Sequence, residues 1–385
     1  MLAHDIAAAF RQHFDSEPLL VRAPGRINLI GEHTDYNAGY VLPAAIDKEM
    51  YFAVALNQQN LIRLRAYDFD ASFEVAADAV APSETEWANY LLGVVAQLHK
   101  RGVQVPGFDC IFGGTVPAGA GLSSSAALEC GMLFALDHLL HTQLEPMQIA
   151  KMGQTAEHEY AKVMCGLMDQ FASVFGRDGK VVRLDCRSLE YEYFPFDTTA
   201  CRIVLCNSGV KHSLASSEYN TRRQECEQGV AILRQHYPQI ETLRDVTLAQ
   251  LATHRNELGD VVYRRCSYVV EENQRVEETC RVLMQGDLTA VGKQLYASHT
   301  GLSEKYEVSC KELDVLVRLA QNVPGVYGAR MMGGGFGGCT INLVATEQVP
   351  AFVEYMKTKY QQELGLSLET YEATIVDGVG LFNQA

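Results

Sequence analysis

The sequence carries no excess of positive charge, no long apolar run, no internal repeat and no paired-cysteine spacing, and each absence removes a class of function. Its 32 Lys and Arg face 47 Asp and Glu, for a formal charge of −15. Such a field repels nucleic acid and anionic membrane surfaces, so neither is an expected partner. A small anion stays admissible, because backbone dipoles and a metal ion can reverse the field inside one cleft. No apolar stretch reaches membrane-spanning length, and Met1 to Phe10 carries His4 and Asp5 where a leader would place a basic region and an apolar core. The cytoplasm is therefore the expected compartment. The 11 cysteines run from Cys110 to Cys339 without a C-x-x-C pair, and the closest two, Cys201 and Cys206, suit a tetrahedral metal site poorly. They read as reduced, mostly buried thiols. Without a fixed period or a low-complexity tract, solenoids, propellers and linker arrays are excluded.

What is present is the composition of a folded enzyme: 48% hydrophobic and 21% charged residues over 385 positions. That length exceeds what one core usually fills, so two intimately packed domains are expected. Short branched-apolar runs at Leu19–Ala23, Ile27–Ile30, Tyr51–Ala55, Leu61–Tyr67, Phe108–Phe112, Val181–Leu184, Ile203–Asn207 and Thr340–Val344 read as strands. Helical period or length appears over Glu86–Lys100, Ser123–Leu140, Met147–Val163, Glu218–His236, Val261–Gln285 and Cys310–Gln321. Strands and helices do not alternate regularly, which points to α+β with mixed or antiparallel sheets. Tyr191–Phe196 reads as a closing edge segment, placing a boundary near Phe194–Thr199 and giving domains of 1–196 and 197–385.

Four segments carry chemistry. Pro117–Ala127 joins a strand to a helix through Gly119, Gly121 and Ser123–Ser125. The glycines allow positive φ and close backbone approach, and the helix N-terminus favours an anion, so a phosphate fits. An ordinary Ser-capped turn would need fewer of both residues. No Lys follows the glycines and no G-x-S-x-G frame fits, so this is neither a Walker loop nor a nucleophile elbow, and the neutralising cation must come from elsewhere.

The second segment, Gly328–Thr340, holds five glycines in the six residues 333–338. It admits close backbone approach, as a wide hairpin or bulge also would. In the third, Arg26 opens an apolar strand and Glu32, His33 and Asp35 crowd the following turn, a set suited to gripping sugar hydroxyls or, alternatively, a metal ion. In the fourth, Asp169 interrupts the apolar run Cys165–Phe171 behind Glu157 and His158. It reads as a partly buried base, or as the N-cap of a helix starting at Gln170.

Together these segments resemble the GHMP family of small-molecule kinases, and Gly25-Arg-Ile-Asn-Leu-Ile-Gly-Glu-His-Thr-Asp-Tyr-Asn37 looks like the signature of its galactokinase branch. The second motif is Val116–Ala127 and the third Arg330–Cys339, with Trp87-Ala-Asn-Tyr90 and Ser217-Glu-Tyr-Asn-Thr-Arg222 between them. The resemblance implies a two-lobed α+β GHMP kinase fold. Its N-terminal lobe would be ribosomal-protein-S5-domain-2-like and its C-terminal lobe ferredoxin-like, with the active site between them. It implies ATP and Mg²⁺, with transfer of the γ-phosphoryl group to the anomeric hydroxyl of D-galactose at the entry of galactose catabolism. By the same resemblance Gly119, Ala120, Gly121, Leu122, Ser123, Ser124 and Ser125 wrap the ATP phosphates and Trp87 borders the adenine. Ser125 and Glu157 hold Mg²⁺, while Glu32, His33, Thr34, Asp35, Gly166, Asp169 and Tyr219 contact the sugar. Asp169 accepts the proton of the hydroxyl or orients it, and Arg26 stabilises charge on the reacting oxygens. A monomer with small-molecule partners only is the matching expectation. A kinase for N-acetylgalactosamine or arabinose, a catalytically silent sugar sensor and a serine hydrolase are the competing readings. The hydrolase lacks a motif-placed His to activate its Ser.

Overall fold

The fold was read from a computed structural model that describes residues 2–117, 119–210 and 215–382, with backbone alone for 215–217. Met1, Ala118 of the first Gly-rich segment and residues 383–385 of the second expected domain lie outside the described residues. In chain order the first half runs α1 (Leu2–His13), β1 (Leu19–Asn28), β2 (Tyr40–Val41), β3 (Pro43–Leu56), β4 (Leu61–Ala66) and β5 (Ala71–Ala76). It continues with α2 (Glu86–Lys100), β6 (Phe108–Gly114), α3 (Ser124–Leu140), α4 (Pro146–Ala156), a π turn (Glu157–Ala161), α5 (Met168–Phe175), β7 (Lys180–Asp185) and β8 (Tyr191–Pro195). The second half runs β9 (Cys201–Asn207), α6 (Ala215–His236), α7 (Leu248–Thr253), α8 (Arg255–Leu283), α9 (Leu288–Thr300) and a π turn (Gly301–Tyr306). It closes with α10 (Lys311–Gln321), β10 (Val326–Met331), β11 (Cys339–Ala345), α11 (Val349–Leu364), β12 (Glu369–Ala373) and β13 (Gly380–Leu381).

The sequence suggests two strands on either side of Pro24-Gly25, but β1 is continuous and absorbs the break as a register shift between Pro24 and Arg26. Proline lacks a ladder donor, so a bulge is where a strand tolerates it. β1 sits in a six-stranded sheet of order β13-β1-β3-β6-β4-β5, antiparallel except for the β4–β6 pair. Alternation along β3 sends Phe52 and Val54 toward α2 and α3, where Leu91, Val95, Met132 and Leu136 complete a core, and Ala53 and Ala55 toward Ile6 and Phe10 of α1. β2, β7 and β8 form a small separate sheet.

The second half builds a four-stranded antiparallel sheet of order β10-β11-β9-β12. Val204 and Cys206 face α10 and α11, and the opposite face, with Ile203, Leu205, Ile341 and Leu343, packs against Ile27, Leu29, Leu42 and Ile46 of the first half. The mixed and antiparallel sheets match the α+β reading. The expected boundary after residue 196 falls between β8 and β9. The chain end nevertheless returns to the first half, because Ile375 bridges Ile46 and β13 covers the edge of β1 with Leu381 opposite Val21. No helix among the described residues is long and apolar enough to cross a membrane.

Close packing between α9 and β10 depends on Gly292, where a Cβ would overlap the Tyr327 carbonyl. Gly292→Ala therefore forces the helix away from the strand that leads into the second Gly-rich loop. The expected loss of stability is about 1–3 kcal/mol by urea unfolding, and an unchanged midpoint would show that the contact is not tight.

Candidate active site

The bulge in β1 aims Arg26 at the first Gly-rich loop. Its backbone N–H donates to Leu122 O at 3.1 Å, and its Nη1 donates to Gly121 O at 2.6 Å. Nε and Nη2 donate to the two carboxylate oxygens of Asp169 at 2.8 and 2.9 Å, a bidentate pair. The Ser123 hydroxyl also donates to Asp169. Ser123 precedes α3 in a left-handed conformation (φ 59°) and makes no capping bond with its side chain, so its hydroxyl is given to the site and not to the helix. Asp169 is likewise no N-cap, since α5 starts one residue before it.

Glu32 accepts from Arg330 Nη2 at 3.0 Å and from the Gly333 N–H at 2.8 Å. His33 places Nδ1 2.7 Å from the Tyr36 hydroxyl, which lies 2.8 Å from that of Tyr306. Its buried Nε2 has no hydrogen-bond partner in the protein. Burial above all pushes His33 down to about 3, so the imidazole is neutral at physiological pH. Asp35 rests on Gly166, where a Cβ would overlap its carboxylate. Burial, and then the charge of Asp169, push Asp35 up to about 7. Thr34 lies behind the turn, its hydroxyl within bonding distance of Gly31 O (2.9 Å) and Tyr40 O (2.6 Å). Among the described residues Glu32, His33 and Asp35 do not bring three ligand atoms together.

These groups line a cavity of about 150 Å³. Arg26, Glu32, His33, Asp35, Gly166 and Asp169 form its walls, Tyr219 of α6 enters from the second half, and Glu157 stands at one side. The Tyr219 ring packs 5.4 Å from that of His33 and 5.3 Å from that of Tyr36. The two Gly-rich loops touch through backbone, with Gly333 against Gly121 and Gly338 against Ala120. Gly119 and Gly121 take positive φ (74° and 73°), as the sequence requires.

Leu122 is buried beneath the loop, while Ser124 and Ser125 form the first turn of α3. The Ser125 hydroxyl stands close to Glu157, which accepts from Gln170 Nε2 at 2.7 Å. Burial, then Asp169, push Glu157 up to about 7. Gln170 Nε2 also reaches Glu129 at 2.9 Å, a fully buried carboxyl held well above its usual range by burial and by Glu157.

The structure thus gathers Arg26, Glu32, His33, Asp35, Gly166, Asp169, Tyr219, Ser123, Ser125 and Glu157. Trp87 stands apart from the cavity, in the first turn of α2 against Phe112 (5.5 Å) and Phe73 (6.4 Å). Sequence reasoning gave no role to Arg330, Glu129, Gln170, Tyr36 or Tyr306. Arg330 was the findable one: a lone charge in the apolar run Val326–Met331 must have a partner.

The fold and loops define a small-molecule kinase of the GHMP class: the GHMP kinases N-terminal domain matches residues 89–177 and the GHMP kinases C-terminal domain matches 276–362. The galactokinase galactose-binding signature matches residues 8–56. The chain is 39% identical over 377 residues to the galactokinase of Roseiflexus sp. (strain RS-1), covering 98% of this chain and 96% of that one. It is 39% identical over 361 residues to the galactokinase of Bacillus subtilis (strain 168), covering 92% of each. The crystal structure of Lactococcus lactis galactokinase complexed with galactose matches with a TM-score of 0.95 at 34% identity, over 99% of this chain and all of that one. Methanococcus jannaschii mevalonate kinase, at 17% identity and a TM-score of 0.69, shares the fold. The chain belongs to the galactokinase family, and it is an ATP-dependent sugar kinase.

The raised Asp35 carboxyl has a consequence for stability. Between its ordinary value of 3.8 and about 7 the folded chain holds a proton that the unfolded chain has lost, so this group's contribution declines as pH rises through that window. The stability of wild type relative to Asp35→Asn is expected to fall from pH 4 toward pH 7 and then level off. Thermal melts of both proteins across that range test it, and parallel pH profiles would contradict the burial argument.

Proposed function

We propose that this chain transfers the γ-phosphoryl group of ATP to the anomeric 1-hydroxyl of D-galactose, giving galactose 1-phosphate and ADP. The observation that carries the reading is the Arg26–Asp169 pair. It joins the sugar-sized cavity to the Gly121 carbonyl and the Ser123 hydroxyl of the phosphate loop. A reacting hydroxyl held at Asp169 would therefore face a phosphoryl group held by the loop. The likeness to a galactokinase complexed with galactose supports the choice of sugar.

In this reading Glu32, His33, Asp35, Gly166 and Tyr219 orient the sugar. The orphaned His33 Nε2 and the Asp35 carboxyl are the groups best placed to bond its hydroxyls. Thr34 serves the sugar indirectly, by closing the turn that aims its neighbours. The amides from Gly119 to Ser125 receive phosphate at the start of α3, where the helix dipole favours an anion, and the Gly333–Gly338 loop closes over both ligands. Trp87 borders the adenine.

Ser125 and Glu157 are adjoining hard oxygen donors beside Asp169 and Glu129, a set that fits Mg²⁺. That ion would neutralise phosphate charge during transfer. Asp169 accepts the proton of the attacking hydroxyl, and Arg26 holds Asp169 in place while balancing charge on the reacting oxygens. Positioning and electrostatics account for the catalysis.

Asp169→Asn is expected to lower turnover by at least about 10²-fold while galactose still binds by calorimetry; normal turnover would end the base assignment. Glu32→Ala and Asp35→Ala should each weaken sugar binding by roughly 1–3 kcal/mol with ATP affinity nearly unchanged, because partner groups are left unpaired. Equal losses for both ligands would contradict this division of labour. A panel of galactose, N-acetylgalactosamine and arabinose with ATP and Mg²⁺, read by ADP release and by ³¹P NMR, should show galactose turned over best and phosphorylated at C1. Preference for another sugar would overturn the substrate.

A further inference from the structure

Far from the cleft, His236 closes α6, His254 joins α7 to α8, and Glu257 sits in the first turn of α8. The two imidazoles stack at 4.0 Å. Each aims one nitrogen at the same carboxylate: His236 Nε2 lies 2.7 Å from one oxygen of Glu257 and His254 Nδ1 lies 3.0 Å from the other. One ligand atom from each residue falls within 4.8 Å of the others, and among the described residues this is the one such trio. We propose that His236, His254 and Glu257 form a binding site for a single divalent transition-metal ion of the zinc type.

The donor set decides the class. Two imidazoles and one carboxylate suit Zn²⁺, Co²⁺, Ni²⁺ or Cu²⁺, whereas Mg²⁺ and Ca²⁺ demand oxygen ligands. Metal–nitrogen bonds of about 2.0–2.1 Å require the present spacings to open slightly, and the half-exposed Glu257 side chain is free to swing. The imidazole is held from behind, since His254 Nε2 lies 3.3 Å from the Tyr237 hydroxyl, the kind of outer contact that fixes ring orientation at metal centres. Solvent reaches His236 and Glu257, so water can fill the remaining positions. The chain's thiols compete poorly, since eight of the 11 cysteines are buried.

The site lies at the opposite end of α6 from Tyr219, 17 residues or about 25 Å along the helix. Two residues beyond Glu257, α8 is interrupted at Gly259 (φ 72°, ψ 163°). A bound ion would clasp the end of α6 to the segment ahead of that interruption. Its effect falls on the stability of the helical core containing Leu233, Leu258 and Val262, and not on phosphoryl transfer.

Titration of the full chain with Co²⁺ in the presence of Mg²⁺ tests the site. The expected result is one ion per chain, visible d–d bands without a thiolate charge-transfer band, displacement by Zn²⁺ and a raised melting temperature. His236→Gln and Glu257→Gln should each weaken binding at least about tenfold, and Tyr237→Phe about tenfold, with circular dichroism and kinase activity unchanged. Absence of bands at saturating Co²⁺, a thiolate band, or full affinity in His236→Gln would overturn the proposal.

Discussion

The guanidinium of Arg330 makes the two halves of the chain one object. It has no solvent exposure, and a buried cation is tolerated only when its donors are met. Here Leu29 O and Asn28 O on the strand-to-turn junction, Met331 O on its own strand and the carboxylate of Glu32 meet them. The consequences run outward in order. Glu32, fixed by Arg330, also accepts from Gly333 and so seats the second Gly-rich loop. That loop rests on Gly121, the Gly121 carbonyl receives Arg26, and Arg26 holds both oxygens of Asp169. A contact between β10 and the turn after β1 thus reaches the Arg26–Asp169 pair through a continuous set of contacts.

The same cleft is short of free positive charge. Glu32, Asp35, Glu157 and Asp169 line it and Glu129 stands behind, while Arg26 and Arg330 are already paired. Burial, and then the charge of Asp169, favour the protonated forms of Asp35 and Glu157 and raise both. A neutral polyol can donate hydroxyls to such carboxylates at no charge cost. A triphosphate cannot be met by them, and in the proposed reading it is received by the backbone amides at the start of α3, which carry partial positive charge without a side chain. The proposed division of the cleft into an acidic sugar half and an amide-lined phosphate half follows from which partner each ligand needs, and it is compatible with an overall charge of −15.

Local signals made much of this legible. Glu86–Lys100 has clean periodicity and a following Gly102, and α2 has those bounds. Glycines paired with serines between a strand and a helix marked the loop that borders the cavity, and Glu32, His33 and Asp35, which line it, stood out because nothing apolar explains them. Other features were hidden for physical reasons. β13 is two residues long and exists only because an edge of β1, far back in the chain, needs pairing. α5 has eight residues, too few for a period to show against Asp169. α11 buries Phe352, Met356 and Tyr360 at four-residue spacing, a readable stripe that the expected helices left out, and Pro350 in its first turn is where a helix accepts proline. Thr34 belongs to the same motif as its neighbours, and only the three-dimensional turn shows its hydroxyl spent on backbone carbonyls.

Of the eleven non-glycine residues with positive φ among the described residues, three sit in the motifs that border the cleft. His33, Ser123 and Phe336 hold φ near 60° without being glycine, one in each of the three motifs. Such residues cost on the order of 1–3 kcal/mol each and persist only when surrounding structure over-determines them. For His33 the surrounding structure is the hydroxyl chain through Tyr36 and Tyr306. For Ser123 it is the bond to Asp169, and for Phe336 the 2.7 Å bond from its own N–H to Val308 O. Each strained residue is thus fixed by a contact within the chain itself. The three turns that border the cleft are therefore held by the chain's own bonds, and a substitution that removes Tyr36, Asp169 or the Val308 contact would release the strain of one turn without touching the other two.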